Sequence, residues 1–306
     1  MLLSSACITG HFAPNGAKHP HYILLALLIY VAKYNYYVIL NYMDNDTATV
    51  VERIQRAAAR IIATHPAGHQ LCLIGGYRYR LLNASARASI DIDYHWEGDL
   101  QRKQVDLVDL LRSKLLPEVK RELGYDGDIR PAAGPAVESP AVRIVEMAFY
   151  RAQDPGSRIE IPVEITSVAR HDAPMIKTIA GTVFLTVSDG DMIESKILAC
   201  LNRPFFQARD ILDIFLFQDT LPPDAPERLS KKLKQLVLRL EAAVEKLSRL
   251  ETNRTVHIRA IDRLLAEQVN PAVTANLLAA GGAAMVWDSV MRLLRDVLLK
   301  AKEFST

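Results

Sequence analysis

Apolar and polar positions alternate along most of the chain with clear periods, and those periods predict its elements. From Thr47 to about Thr64, Val50, Ile54, Ala57, Ala58, Ile61 and Ile62 recur at helical spacing with Glu52, Arg53, Gln55 and Arg56 between them, which predicts an amphipathic helix packed on a sheet. Leu71 to Ile74 then reads as a short apolar strand, Gly75-Gly76 as a turn, Tyr77 to about Asn83 as one or two helical turns, and Ser89 to Tyr94 as a second strand. After Trp96, Val105, Leu107, Val108, Leu110, Leu111 and Leu115 alternate with charges, which predicts a solvent-facing helix interrupted or ended near Pro117. The run DGDIRPAAGPAVESP is rich in Gly and Pro and reads as a loop. Val142 to Phe149 and Arg158 to Thr166 predict a hairpin across QDPGS, and Thr182 to Val187 a further strand. Pro162 disfavours a central position for its strand, because it cannot donate to the ladder.

Two helices follow, from about Asp191 to Asn202 and from near Arg209, burying Ile193, Ile197, Leu198 and Leu201 in the first and Ile211, Leu212, Ile214 and Phe215 in the second. Leu221 to Pro226 forms a Pro-rich hinge, and everything beyond it is helical in pattern. Helices are expected over about Thr255 to Val269 and Ala272 to Phe304, with Gly281-Gly282 as a break in the last. Glu227 to Leu250 holds seven basic residues against three acidic, which suits an RNA backbone, an acidic partner or simply a solvated amphipathic face.

Composition adds limits. At 306 residues the chain can bury a sizeable core and hold two domains, and its net charge of +2 gives no global case for nucleic-acid binding. Cys7, Cys72 and Cys200 lie far apart with no zinc spacing, which predicts reduced thiols in a cytosolic (cytoplasmic) protein. Residues 1–42 contain no Asp or Glu, and Tyr22 to Leu40 is about as long as a membrane span although Lys33 and Asn35 interrupt it. A weak membrane anchor, a buried element and sequence upstream of the true start compete there. The last is preferred, because Met43 followed by DNDTATVVERIQRAAARIIATHP looks like an ordinary beginning.

The chemistry concentrates between Leu71 and Trp96. Asp91 and Asp93 alternate along a strand and so share a face, where their mutual repulsion calls for a divalent cation such as Mg²⁺. Gly75 and Gly76 let a backbone approach a ligand, and the amides that open the next helix make a phosphate cradle. A phosphate cradle facing a metal pair suggests nucleotide chemistry. Gly75-Gly76 followed by Arg87-x-Ser89-x-Asp91-x-Asp93 resembles the first motif of the DNA polymerase β-like nucleotidyltransferases and, more closely, that of the AbiEii/AbiGii toxin family. Glu194-x-Lys196, Arg203 and Arg209-Asp210-x-x-Asp213 resemble that family's second conserved region.

The resemblance covers about Met43 to Phe217 and implies an α+β fold, with a mixed sheet flanked by helices (43–219) and an all-helical domain behind it (220–306). It implies NTP as co-substrate, Mg²⁺ on Asp91, Asp93 and a third carboxylate, and phosphates held near Gly75, Gly76, Arg87 and Ser89. Glu164 is the choice for that third carboxylate, with Glu160 in reserve. Lys196 would hold the triphosphate and Asp210 would support it, while Arg87 would assist or tie its loop to Asp93. Tyr77 is bulkier than the small or hydroxyl residue expected after the glycines. The implied biology is a toxin for phage defence or maintenance that adds nucleotides to an acceptor such as the tRNA 3′ end, opposed by a separately encoded antitoxin.

Overall fold

Helical periodicity sets the first element. In a computed structural model that describes residues 45–132, 141–236 and 238–304, α1 spans Asn45–Thr64 and buries Ile54, Ala58, Ile61 and Ile62 on one side. The expectations for residues 1–42 lie outside the described residues. β1 (Cys72–Ile74), α2 (Gly75–Leu82) and β2 (Ile92–His95) follow, then α3 (Leu100–Leu123).

α3 corrects the expectation of a helix interrupted or ended near Pro117. It runs unbroken through the proline, opened by Asp99 accepting from the amides of Gln101 and Arg102 and closed by Gly124 at φ 73°. Leu107, Leu111, Leu115 and, beyond the proline, Val119 are all buried against the sheet. Burial on both sides of Pro117 outweighs the roughly 3 kcal/mol that an interior proline costs a helix.

The remaining strands are β3 (Tyr125–Pro131), β4 (Val142–Arg151), β5 (Asp154–Thr166), β6 (Met175–Ile179) and β7 (Thr182–Thr186). β3 occupies part of the Gly/Pro-rich run expected to be a loop. It pairs antiparallel with β4 from Tyr125↔Arg151 to Pro131↔Val145, and burial of Tyr125 and Ile129 anchors it as an edge strand. One seven-stranded sheet results, in the order β3-β4-β5-β2-β1-β7-β6. It is mixed: β2 runs parallel to β5 and β1 parallel to β7, while the other pairs are antiparallel. β5 is therefore internal despite Pro162. The ladder to β2 begins one residue later, at Val163, so the proline falls outside that pairing.

Period-2 alternation sorts the two faces of β5. Ile159, Ile161, Val163 and Ile165 enter the core beneath α1 and α3, which leaves Glu160, Pro162 and Glu164 on the opposite face. A second core is helical. It joins α4 (Asp189–Asn202) and α5 (Ala208–Phe217) to α6 (Ala225–Gln235), α7 (Leu240–Thr252), α8 (Arg254–Gln268) and α10 (Gly282–Ala301), around Trp287, Val290 and Leu294. α9 (Pro271–Ala279) meets the last helix at 77°, a break that falls at Gly281 (φ 119°) and Gly282 (φ 65°) as the sequence predicts.

The stretch from Glu227 to Leu250 is two helices, and two of its basic residues are not available to a partner. Arg228 reaches Glu194 at 2.6 Å and Asp172 at 2.8 Å, and Lys232 reaches Asp191 and Glu194 at 2.6 Å each. This buried ionic network ties α4 to α6. Among the described residues no single helix is long and apolar enough to cross a membrane.

Candidate active site

The register of the parallel pair β2/β5 builds the site. Asp93 lies opposite Glu164, and Asp91 precedes the strand on the same face, so that each of the three carboxylates offers an oxygen within 4.8 Å of the others. Glu160 lies elsewhere, paired with Arg158 at 2.7 Å. Of the two acids the sequence leaves open, Glu164 completes the cluster.

β1 brings the glycines to the same place. Ile74 pairs with Asp93, and the chain turns immediately at Gly75 with φ 76°. A Cβ there would stand 1.8 Å from Asp93 Oδ2, so this position requires glycine for both backbone and space. At Gly76 a Cβ would meet Arg87 Nη2 at 2.5 Å and Ser89 Oγ at 2.7 Å. Tyr77 is buried in the core beneath the sheet, so its bulk does not intrude on the glycine turn. The Ser89 hydroxyl donates to Asp91 Oδ1 at 2.7 Å, orienting that carboxylate.

The loop that carries Ser89 and Asp91 has little regular structure, and other elements hold it. Gln55 of α1, itself buried, donates to the carbonyls of Ser89 at 2.9 Å and Ile90 at 2.7 Å. Arg87 ties the loop to Asp213. Its Nε and Nη2 donate to the two oxygens of Asp213 at 2.7 and 3.0 Å, and its Nη1 to the Ala88 carbonyl. This bidentate pair is buried on both sides.

Asp213 is shared. Lys196 Nζ sits 2.8 Å from Asp213 Oδ2 and 3.7 Å from Asp210, whose other oxygen accepts from Arg203 at 2.6 Å. Burial pushes the Asp213 carboxyl up, but the Arg87 and Lys196 cations prevail and hold it at about 2. Lys196 and Asp210 thus lie in one cluster, with Asp213 the nearer partner of the lysine. Arg209 joins this cluster to the carboxylates, with Nη1 3.7 Å from Asp91 Oδ2.

Gln55 carries no functional signal in the sequence, and Arg209 and Asp213 appear there only as members of the second motif, with no role of their own. Asp210-x-x-Asp213 at helical spacing is a visible signal for the last, whereas Gln55 reads only as one of the polar residues between the apolar positions of α1.

The donor set suits a hard divalent cation. Three carboxylates converge from β2, the residue before it and the adjacent β5, and oxygen-only ligation is what Mg²⁺ or Mn²⁺ prefers. Beside them lie a glycine turn at the start of a helix and a lysine-containing cluster, an arrangement able to receive a polyphosphate.

Known structures share the fold. The chain is similar in fold to a candidate nucleotidyltransferase from Helicobacter pylori, at 17% identity and TM-score 0.50 over 83% of this chain and 99% of that one. JHP933 from Helicobacter pylori aligns at 17% identity and TM-score 0.49, covering 85% of this chain and 97% of its own. MenT4, a nucleotidyltransferase toxin from Mycobacterium tuberculosis H37Rv, aligns at 13% identity and TM-score 0.43, covering 85% and 94%. No curated protein sequence matches the chain. The profile of the family described as nucleotidyl transferase AbiEii toxin, type IV TA system, matches residues 56–279, and the chain belongs to that family of nucleotidyltransferases.

Proposed function

We propose that this protein transfers a nucleoside monophosphate from an NTP to the hydroxyl of an RNA acceptor such as the tRNA 3′ end, in a Mg²⁺-dependent reaction that releases pyrophosphate. The observation that carries the proposal is the convergence of Asp91, Asp93 and Glu164 beside the Gly75-Gly76 turn. Those three carboxylates would hold Mg²⁺. Bound there, the ion would supply positive charge at the α-phosphate and lower the pKa of the attacking hydroxyl.

The chain's own groups position the rest. Amides at the start of α2 face the phosphates without a Cβ in the way. Lys196, kept in place by Asp213, offers its remaining N–H donors to a phosphate oxygen. Ser89 fixes the Asp91 carboxylate, and the transfer would be an in-line attack of the acceptor hydroxyl on the α-phosphate. Transfer of this kind to an essential RNA would make the protein the toxin of a pair whose separately encoded antitoxin opposes it.

The test is to incubate the full chain with Mg²⁺, total tRNA and each α-labelled NTP in turn, beside an Asp93→Ala variant. Label on RNA with the wild type alone is the expected result. Equal labelling by both refutes the site assignment. Label on protein hydroxyls instead replaces the acceptor while keeping the reaction class.

A further inference from the structure

The loop between α2 and β2 is held by the far end of the chain through its main chain. Arg87 forms an antiparallel bridge with Val269 at the joint between α8 and α9. The amide of Ala88 donates to the Gln268 carbonyl at 2.9 Å, and the amide of Asn270 donates to the Ala86 carbonyl at 3.0 Å. Val269 is extended, at φ −114° and ψ 144°, so the joint acts as a one-residue strand laid along the loop.

That loop is the one whose Ser89 orients Asp91 and whose Arg87 fills the space a Cβ at Gly76 would need. Residues 86–88 pair with the joint, and the proposed metal ligand comes three residues later. Gln55 and the Arg87–Asp213 pair hold the loop from other directions, and Arg209 stands beside Asp91. The joint thus holds residues 86–88, the segment that leads directly into Ser89 and Asp91.

We infer that the α8–α9 joint, Gln268 to Asn270, is a positioning element of the active site: it places Asp91 through main-chain hydrogen bonds, and the helical region is part of the catalytic apparatus. The inference rests on the proposed role of the carboxylates as metal ligands.

Asn270 allows the main-chain bond to be separated from its side chain. Its φ of −52° and ψ of 130° suit proline, as does the extended Val269 before it. Asn270→Pro deletes the amide that bonds Ala86. It also loses the side-chain cap to the Ala272 amide, whereas Asn270→Ala loses that cap and keeps the amide donor. The comparison of these two variants isolates one backbone hydrogen bond.

Two readouts on the full chain test it, neither needing the acceptor. Mn²⁺ binding is followed by electron paramagnetic resonance in wild type, Asn270→Ala, Asn270→Pro and Asp93→Ala. Amide hydrogen exchange is followed at residues 86–91. Expected are wild-type behaviour in Asn270→Ala, and in Asn270→Pro a roughly tenfold weaker Mn²⁺ affinity, the scale seen when support to a metal ligand is lost, with faster exchange at Ala88. Unchanged Mn²⁺ affinity and unchanged exchange in Asn270→Pro overturn the inference. If wild type and Asp93→Ala bind Mn²⁺ alike, the metal assignment of the carboxylates fails instead. The exchange at residues 86–91 then decides by itself whether the joint positions the loop, and equal exchange in both Asn270 variants refutes it.

Discussion

Two charged clusters meet at this site, and they differ in how their charge is balanced. Asp91, Asp93 and Glu164 are brought within 4.8 Å of one another by the register of two parallel strands, with the Arg209 guanidinium 3.7 Å from Asp91. Asp210 and Asp213 are buried instead among Arg87, Lys196 and Arg203. The first cluster concentrates negative charge and suits a cation brought from solution. The second carries its own cations, so its acids act as positioning groups. A buried acid is informative about chemistry only once its counter-charges are known.

Substitutions break the contrast in graded ways. Glu164→Gln keeps the shape but removes a formal charge from the carboxylate cluster. Nucleotide transfer should fall by more than about 100-fold, beyond what loss of an outer-shell partner usually costs, while the melting temperature stays near wild type. Loss of activity together with collapse of the fold would instead place Glu164 in the scaffold.

Asp213→Asn leaves Arg87 and Lys196 facing each other without their shared carboxylate. Removing one partner of a buried pair costs about 3–5 kcal/mol, read as a lower denaturation midpoint in urea. The pH dependence sharpens this. Asp213 is held at about 2, below its ordinary value of 3.8, so its contribution is fully present above that ordinary value and is lost as pH falls through about 2. Wild type should lose stability across that acid window, and Asp213→Asn should lose less there. Parallel acid titrations of the two proteins would show that the pair is not the source.

Glu160→Gln should do least. Its carboxylate pairs with half-exposed Arg158 outside the metal cluster, and surface pairs of this kind contribute up to about 1 kcal/mol. A transfer assay with this variant should match wild type within about twofold, the change expected for a pair worth a few tenths of a kcal/mol. A deeper loss would make it, and not Glu164, the third acid.

Much of this was legible in the chain because local signals carried it. The strand–glycine turn–strand unit, the Asp-x-Asp alternation, the helices around Lys196 and Asp210 and the break at Gly281-Gly282 depend on residues close in sequence. Reading failed where distant packing overruled composition. Asp126 to Pro131 looks like a loop until β4 supplies its ladder, and Pro117 looks like a helix break or end until the sheet holds both halves of α3.

The sequence by itself determined which residues could do the chemistry, since residue type and short-range spacing set the donor atoms and the face each one occupies. Only the tertiary structure decided which of them meet. Glu164 prevails over Glu160 because a parallel ladder places it opposite Asp93. Arg87 serves Asp213, 126 residues away, and the loop before Asp91 rests on a joint near Val269. Such pairings come from closing long loops around a common core. Their partners are selected by burial and complementary charge across the fold, which no local pattern records.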